Sequence, residues 1–190
     1  MSSAVTAVLA SAFSLSACVF YQSYPSSWVA RGEGCSDISG VYSDAGERSA
    51  RGLPFPFSGT VIVTRSLSGL LSGRGEYGKP FNVELTQQEG DKLRVRLWVD
   101  DTVGSQYRVG YRCTPSGIEL RLPARWMTQG LGVVRASGSL YLATGANGDL
   151  IGNLKYRTFG VALIVPIIAS GNAWYRFTRA EVPPPRQPLQ

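Results

Sequence analysis

Leu93-Arg94-Val95-Arg96-Leu97-Trp98-Val99 alternates apolar and polar or amphipathic side chains without a break, and this period of two decides the fold class. In a strand successive side chains point to opposite faces, so Leu93, Val95, Leu97 and Val99 turn toward a core while Arg94 and Arg96 turn toward water. Upstream, residues 81–86 alternate and Glu89-Gly90-Asp91 supplies a turn. Downstream, Asp100-Asp101 begins another turn, residues 107–113 alternate again, and Pro115-Ser116-Gly117 leads into 118–122. These last three strands read as one meander.

The same reading extends along the chain. Residues 60–64 are β-branched throughout; 139–143 and 150–154 flank Asn147-Gly148, a strong hairpin signal; 172–177 is a last strand. No segment after the first 30 residues carries a sustained 3.6-residue apolar stripe. The expected fold is therefore mainly β, an antiparallel meander forming a small barrel or sandwich, and sequential hairpins favour the up-and-down barrel. With 190 residues there is room for one domain with a substantial core. The 22 Gly and 11 Pro favour turns over long helices.

The chain contains no His, which removes Ser-His-Asp and Cys-His catalysis and most zinc sites. Asp100-Asp101 and Asn147/Asp149 lack the spaced carboxylates of a calcium loop and are explained as turns. Gly73-Arg74-Gly75-Glu76-Tyr77-Gly78 matches a dinucleotide-binding pattern, but Lys79-Pro80 follows where a helix would have to begin. With residues 66–72 before it, this stretch reads as a flexible loop. Glu76, Glu84, Glu89 and Glu119 could supply a carboxylate pair for an envelope hydrolase, although their spacing does not favour one. No catalytic residue, metal or cofactor is expected.

Residues 1–30 carry no charged side chain, and Ala4 to Leu15 is apolar and small, with the length of a signal-peptide core. Leu15-Ser16-Ala17-Cys18 follows and resembles the lipobox of bacterial lipoproteins, with Leu three residues before Cys and small residues between. Met1-Ser2-Ser3 departs from such leaders in having no Lys or Arg. The resemblance implies a signal helix over 1–17, cleavage before Cys18, and acyl chains on that residue, several of which anchor stably where one would be marginal. It also implies the cell envelope, and Val19 in place of Asp points to the outer membrane with the domain facing the periplasm. With Cys18 consumed by lipid, Cys35 and Cys113 are left to pair in an oxidising compartment. Cys35-Ser36-Asp37-Ile38-Ser39-Gly40-Val41-Tyr42 resembles the opening of envelope lipoproteins, which implies a domain type and no activity. The expected organisation is a signal peptide over 1–17, a lipid anchor and tether over 18–34, a β domain over 35–181 and a Pro-rich disordered tail over 182–190. Within the tether, Tyr24 and Trp28 could instead lie against the domain or the membrane interface.

The formal net charge is +6, and all but three of the 19 cations are Arg. This suits either anionic partners or simply a solvated surface; export makes nucleic acid an unsuitable partner. Alternation places Arg94, Arg96, Arg108, Arg112 and Arg121 on one outer face of the expected meander. That face is a candidate for docking an anionic envelope component or an envelope protein, against the alternative of a solvated face neutralised by Glu84 and Glu119. The uncharged run 159–169 is too short to span a bilayer as a helix. It is expected to be a strand buried on both faces and bulged at Pro166. Alternatively it lines an apolar cavity through Val161, Leu163, Val165 and Ile167, or touches lipid. The function expected is that of a lipid-anchored, non-catalytic binding or structural protein whose tether raises its effective concentration for a partner at the membrane. A lipocalin-like carrier of an apolar ligand is the alternative.

Overall fold

Turn residues break the alternating segments where the sequence suggests: Gly90 (φ 74°), Gly117 (φ 114°) and Gly148 (φ 84°) all adopt the left-handed conformation that glycine reaches without penalty. The computed structural model describes residues 17–28, 31–49, 65–72, 82–99, 102–129, 132–162 and 165–181. Its elements, in chain order, are β1 (Ala17–Phe20), β2 (Gly40–Ser43), β3 (Glu47–Arg48), α1 (Leu67–Ser72), β4 (Asn82–Gln88), β5 (Lys92–Val99), β6 (Thr102–Gly110), β7 (Arg112–Thr114), β8 (Gly117–Gln129), β9 (Gly132–Thr144), β10 (Leu150–Ala162) and β11 (Val165–Phe177). The leader over 1–16, the strand expected over 60–64, the Gly73–Gly78 pattern with Glu76, Asp100-Asp101, Leu163 and the tail over 182–190 lie outside the described residues.

The fold is mainly β, and two sheets form a sandwich. The smaller has the order β2-β4-β5-β6; the larger runs β1-β11-β10-β9-β8-β7, with β3 also on β11. Every pairing is antiparallel except that of β1 with β11. The two sheets also meet where the chain after β11 bridges β2: Tyr42 lies opposite Arg179, the Ser43 amide donates to the Thr178 carbonyl at 2.9 Å and the Ala180 amide to the Val41 carbonyl at 2.8 Å. At Tyr111 the chain passes from one sheet to the other. β6 meets β5 as far as Gly110 opposite Lys92, and then Cys113 pairs with Ile118 in the other sheet. The expected three-stranded meander is thus split between the two sheets. Cys35 and Cys113 sit at this crossing at disulfide distance, with their Cα atoms 5.4 Å apart.

The inner faces bury what the alternation assigns to them. Val83, Leu85, Leu93, Val95 and Leu97 come from the small sheet; Ile118, Leu120, Leu140, Leu142, Leu150, Leu154, Tyr175 and Phe177 come from the large one. Each such side chain contributes roughly 1.5–3 kcal/mol on burial. Helix α1 closes one end with Leu67, Leu70 and Leu71, apolar at i, i+3 and i+4. Residues 67–72 are therefore part of the core and correct the flexible-loop reading. Ser66 caps the helix: its Oγ accepts from the Gly69 amide at 3.0 Å. The buried Asp44 carboxylate accepts from the Ser66 hydroxyl and the Ser68 amide, both at 2.7 Å.

The last four strands are 13 residues each, far longer than the segments read from the sequence. β8 passes its proline through a register shift between Leu122 and Arg125, where a missing N–H breaks no ladder bond. The uncharged run 159–169 is not one buried strand. It folds back on itself: Val161 pairs with Pro166 and Ala162 with Val165, so the run ends β10 and begins β11. Phe159, Val161 and Ile168 are exposed, which overturns the reading of this run as core.

Candidate functional site

Cys18 lies in β1, whose parallel register with β11 is Ala17↔Ile168, Cys18↔Ala169, Val19↔Ser170 and Phe20↔Gly171. The chain beyond β1 stays on the sheet. The Gln22 amide donates to Asn172 Oδ1 at 2.6 Å, and the Gln22 carbonyl accepts from Asn172 Nδ2 at 3.0 Å and from Trp174 Nε1 at 3.1 Å. Tyr24 meets the Trp174 ring edge-on at 5.0 Å and Trp28 at 6.1 Å. Arg31 lies 5.4 Å over Trp174 and Arg176 5.6 Å over Trp28. Burial raises the Tyr24 phenol above its ordinary pKa, and the Arg31 and Arg176 charges oppose that rise. Of the two readings of Tyr24 and Trp28, the one against the domain holds, and Trp28 is buried.

Beyond this aromatic cover, none of the described residues packs over the outer face of the large sheet. Cross-strand partners share a face, so the register puts Trp126, Arg135, Phe159 and Ile168 in one row across β8, β9, β10 and β11. Val133 and Val161 form the row nearer the hairpin tips. In the other direction come Ser137, Arg157 and Ser170, then Arg121, Ser139 and Lys155. Trp126 is 64% exposed, Phe159 57% and Ile168 52%. On β1 Val19 is 62% exposed, and just after it Tyr21 is 71% exposed. The reverse face of the same strands is buried at Val134, Ala136, Thr158 and Ala169. An open depression lies behind the apolar rows, with Tyr21, Arg121, Ser137, Ser139, Lys155 and Arg157 around it.

Charge on this face is one-sided. β8 to β11 carry Arg121, Arg135, Lys155, Arg157 and Arg176 on it against one carboxylate, Glu119, while Arg125, opposite the buried Ala136, belongs to the reverse face. Arg125 donates to the Ser72 carbonyl and Arg176 pairs with Glu47. Arg121, Arg135, Lys155 and Arg157 form no ion pair among the described residues. Two of them rest on rings, Arg135 over Trp126 at 5.9 Å and Lys155 over Tyr141 at 4.6 Å.

The five arginines expected on one face are divided by the sheet crossing at Tyr111. Arg94, Arg96 and Arg108 belong to the small sheet, Arg112 and Arg121 to the large one. The Arg96 guanidinium lies 3.3 Å from Glu84 Oε1, and Arg94 lies 4.0 Å from the same oxygen. Glu84 also accepts from Trp98 Nε1 at 3.0 Å, and Arg96 Nε donates to Gln106 at 2.8 Å. Arg94 and Arg96 are thus held at Glu84, and of the five only Arg121 joins the cationic rows of the large sheet. Glu84 and Glu119 are on different sheets and Glu89 is in a turn, so these three are not brought together as an acid pair. Of the candidate apolar lining, Val161 faces outward, Val165 and Ile167 belong to β11, and Leu163 is outside the described residues. Phe159 and Ile168 fall in the run for which contact with lipid was one alternative, while sequence reasoning missed Trp126, Arg135, Lys155 and Arg157. Their only signal was a strand alternation in which both sets of positions contain apolar residues. No protein-family model, no curated protein and no solved structure matches the chain.

Proposed function

We propose that this chain is a lipid-anchored envelope protein with a non-catalytic binding or structural role at the outer membrane. The observation that carries the reading is the position of the lipobox cysteine. Cys18 is the second residue of an edge strand of the large sheet, beside the exposed Val19 and Tyr21. Acyl chains attached there hold the folded domain against the bilayer with no intervening slack. Several chains at one site supply stable attachment, and the domain then meets its partners at the membrane surface rather than in bulk water.

The carrier alternative needs a hollow interior, whereas the leucines of both sheets and of α1 pack into one cluster between the sheets. The hydrolase alternative needs converging carboxylates, which Glu84, Glu89 and Glu119 do not provide.

Intact-mass measurement of protein recovered from its native host tests the anchoring directly. The expected product begins at Cys18 and carries acyl mass on it, and that mass is absent in Cys18→Ser. An unmodified Cys18 in protein that still sediments with membranes overturns the proposal.

A further inference from the structure

We infer that the exposed outer face of β8 to β11 is an interfacial docking surface for an anionic phospholipid bilayer, with the Val133 and Phe159 rows toward the acyl chains. The anchored reading supplies the bilayer; the surface itself follows from the order of side chains along the strands.

Four successive rows change character in one direction. Val133 and Val161 are nearest the tips, then the row of Trp126, Arg135, Phe159 and Ile168. Behind them come Ser137, Arg157 and Ser170, and then Arg121, Ser139 and Lys155. Two residues of strand advance about 6.8 Å, so the Phe159 row and the Lys155 row lie roughly 14 Å apart. Apolar and aromatic side chains therefore occupy the depth of the acyl boundary while three cations and a set of hydroxyls stand at the depth of phosphate groups. This is the arrangement by which interfacial segments bind, with apolar area and attraction to anionic lipid acting together. The backbone of these rows is already paired in the ladder, so entering a poorly hydrated layer leaves few groups unsatisfied.

A second copy of the chain is a poorer occupant, because two such faces would bring Arg121, Arg135, Lys155 and Arg157 against their own kind.

The test uses the full chain with Cys18→Ser, so that acylation contributes nothing, and vesicles of phosphatidylcholine with or without phosphatidylglycerol. Acyl chains brominated near the headgroup serve as the quencher. Quenching of tryptophan fluorescence is expected with phosphatidylglycerol present, and that quenching disappears in Trp126→Phe. Arg135→Glu/Arg157→Glu should lower partitioning at least tenfold, while Lys92→Glu/Arg108→Glu on the small sheet leaves it unchanged. All four positions are at the surface, so melting curves should match and confirm that folding is intact. Equal quenching in Trp126→Phe, equal binding to neutral vesicles, or protein dimers that hide Trp126 would each overturn the inference. Because acylation is absent, failure here leaves the Cys18 anchor standing, and an unmodified Cys18 in the host leaves this surface standing.

Discussion

Gln22 and Asn172, 150 residues apart in sequence, bond to each other in both directions: the Gln22 amide donates to Asn172 Oδ1, and Asn172 Nδ2 donates to the Gln22 carbonyl. This reciprocal pair fastens the segment after β1 to the penultimate stretch of the fold. Asn172 is buried, so removing its amide leaves the Gln22 N–H without its acceptor. Asn172→Ala should cost about 1–3 kcal/mol. It should also speed hydrogen exchange at residues 18–22 more than in β9, measured by mass spectrometry.

Asp44 joins β2 to α1 through the Ser66 hydroxyl and the Ser68 amide. Its carboxylate sits at the start of a helix, where negative charge is favoured. Asp44→Ala should lower stability by about 2–3 kcal/mol, read as a fall in the urea midpoint with little change in slope. Asp44→Asn, which keeps one acceptor, should lose less.

The Cys35–Cys113 link spans a sequence separation of 78 residues. Chain-entropy arguments put its contribution at about 4–5 kcal/mol. The Cys35→Ser/Cys113→Ser protein should melt well below the native one, and a reductant should lower the native melting temperature toward it without affecting the double variant.

Burial pushes the Tyr42 and Tyr175 phenols above the ordinary tyrosine value of 10.0. The folded state therefore holds these protons more tightly than the unfolded chain does. Their contribution to stability is complete below pH 10.0 and is lost as pH rises through their raised values. Phenolate absorbance should rise in two steps, the later one coinciding with loss of the sheet signal in circular dichroism. Tyr175→Phe should shrink the later step.

The core strands were legible because each has one apolar side and one polar side. Leu93, Val95 and Leu97 are buried as their alternation requires, and Asn147-Gly148 turns between β9 and β10, with Gly148 in the left-handed region. The alternation fixes which way a side chain points from its strand but not which sheet the strand joins. This is why Arg94 and Arg121, alike in local pattern, belong to different sheets. The pairing of Ala162 with Val165 was hidden because the residues between them in sequence are Leu and Ile, which carry no turn chemistry. Helix α1 was hidden because its Ser and Gly residues suggest a linker, while its three leucines are held by partners far along the chain. Of the proposed functional residues, only Cys18 was legible as a motif. Trp126, Phe159 and Ile168 resemble core positions until the pairing shows that nothing described covers them.

The parallel contact between β1 and β11 has a consequence for how the protein comes into being. The stretch around Cys18 is made well before the strand that receives it. Until residues 168–171 exist and have found β10, β1 has no strand to pair with. The backbone of Ala17–Phe20 can therefore join the sheet only after about 150 further residues have been made.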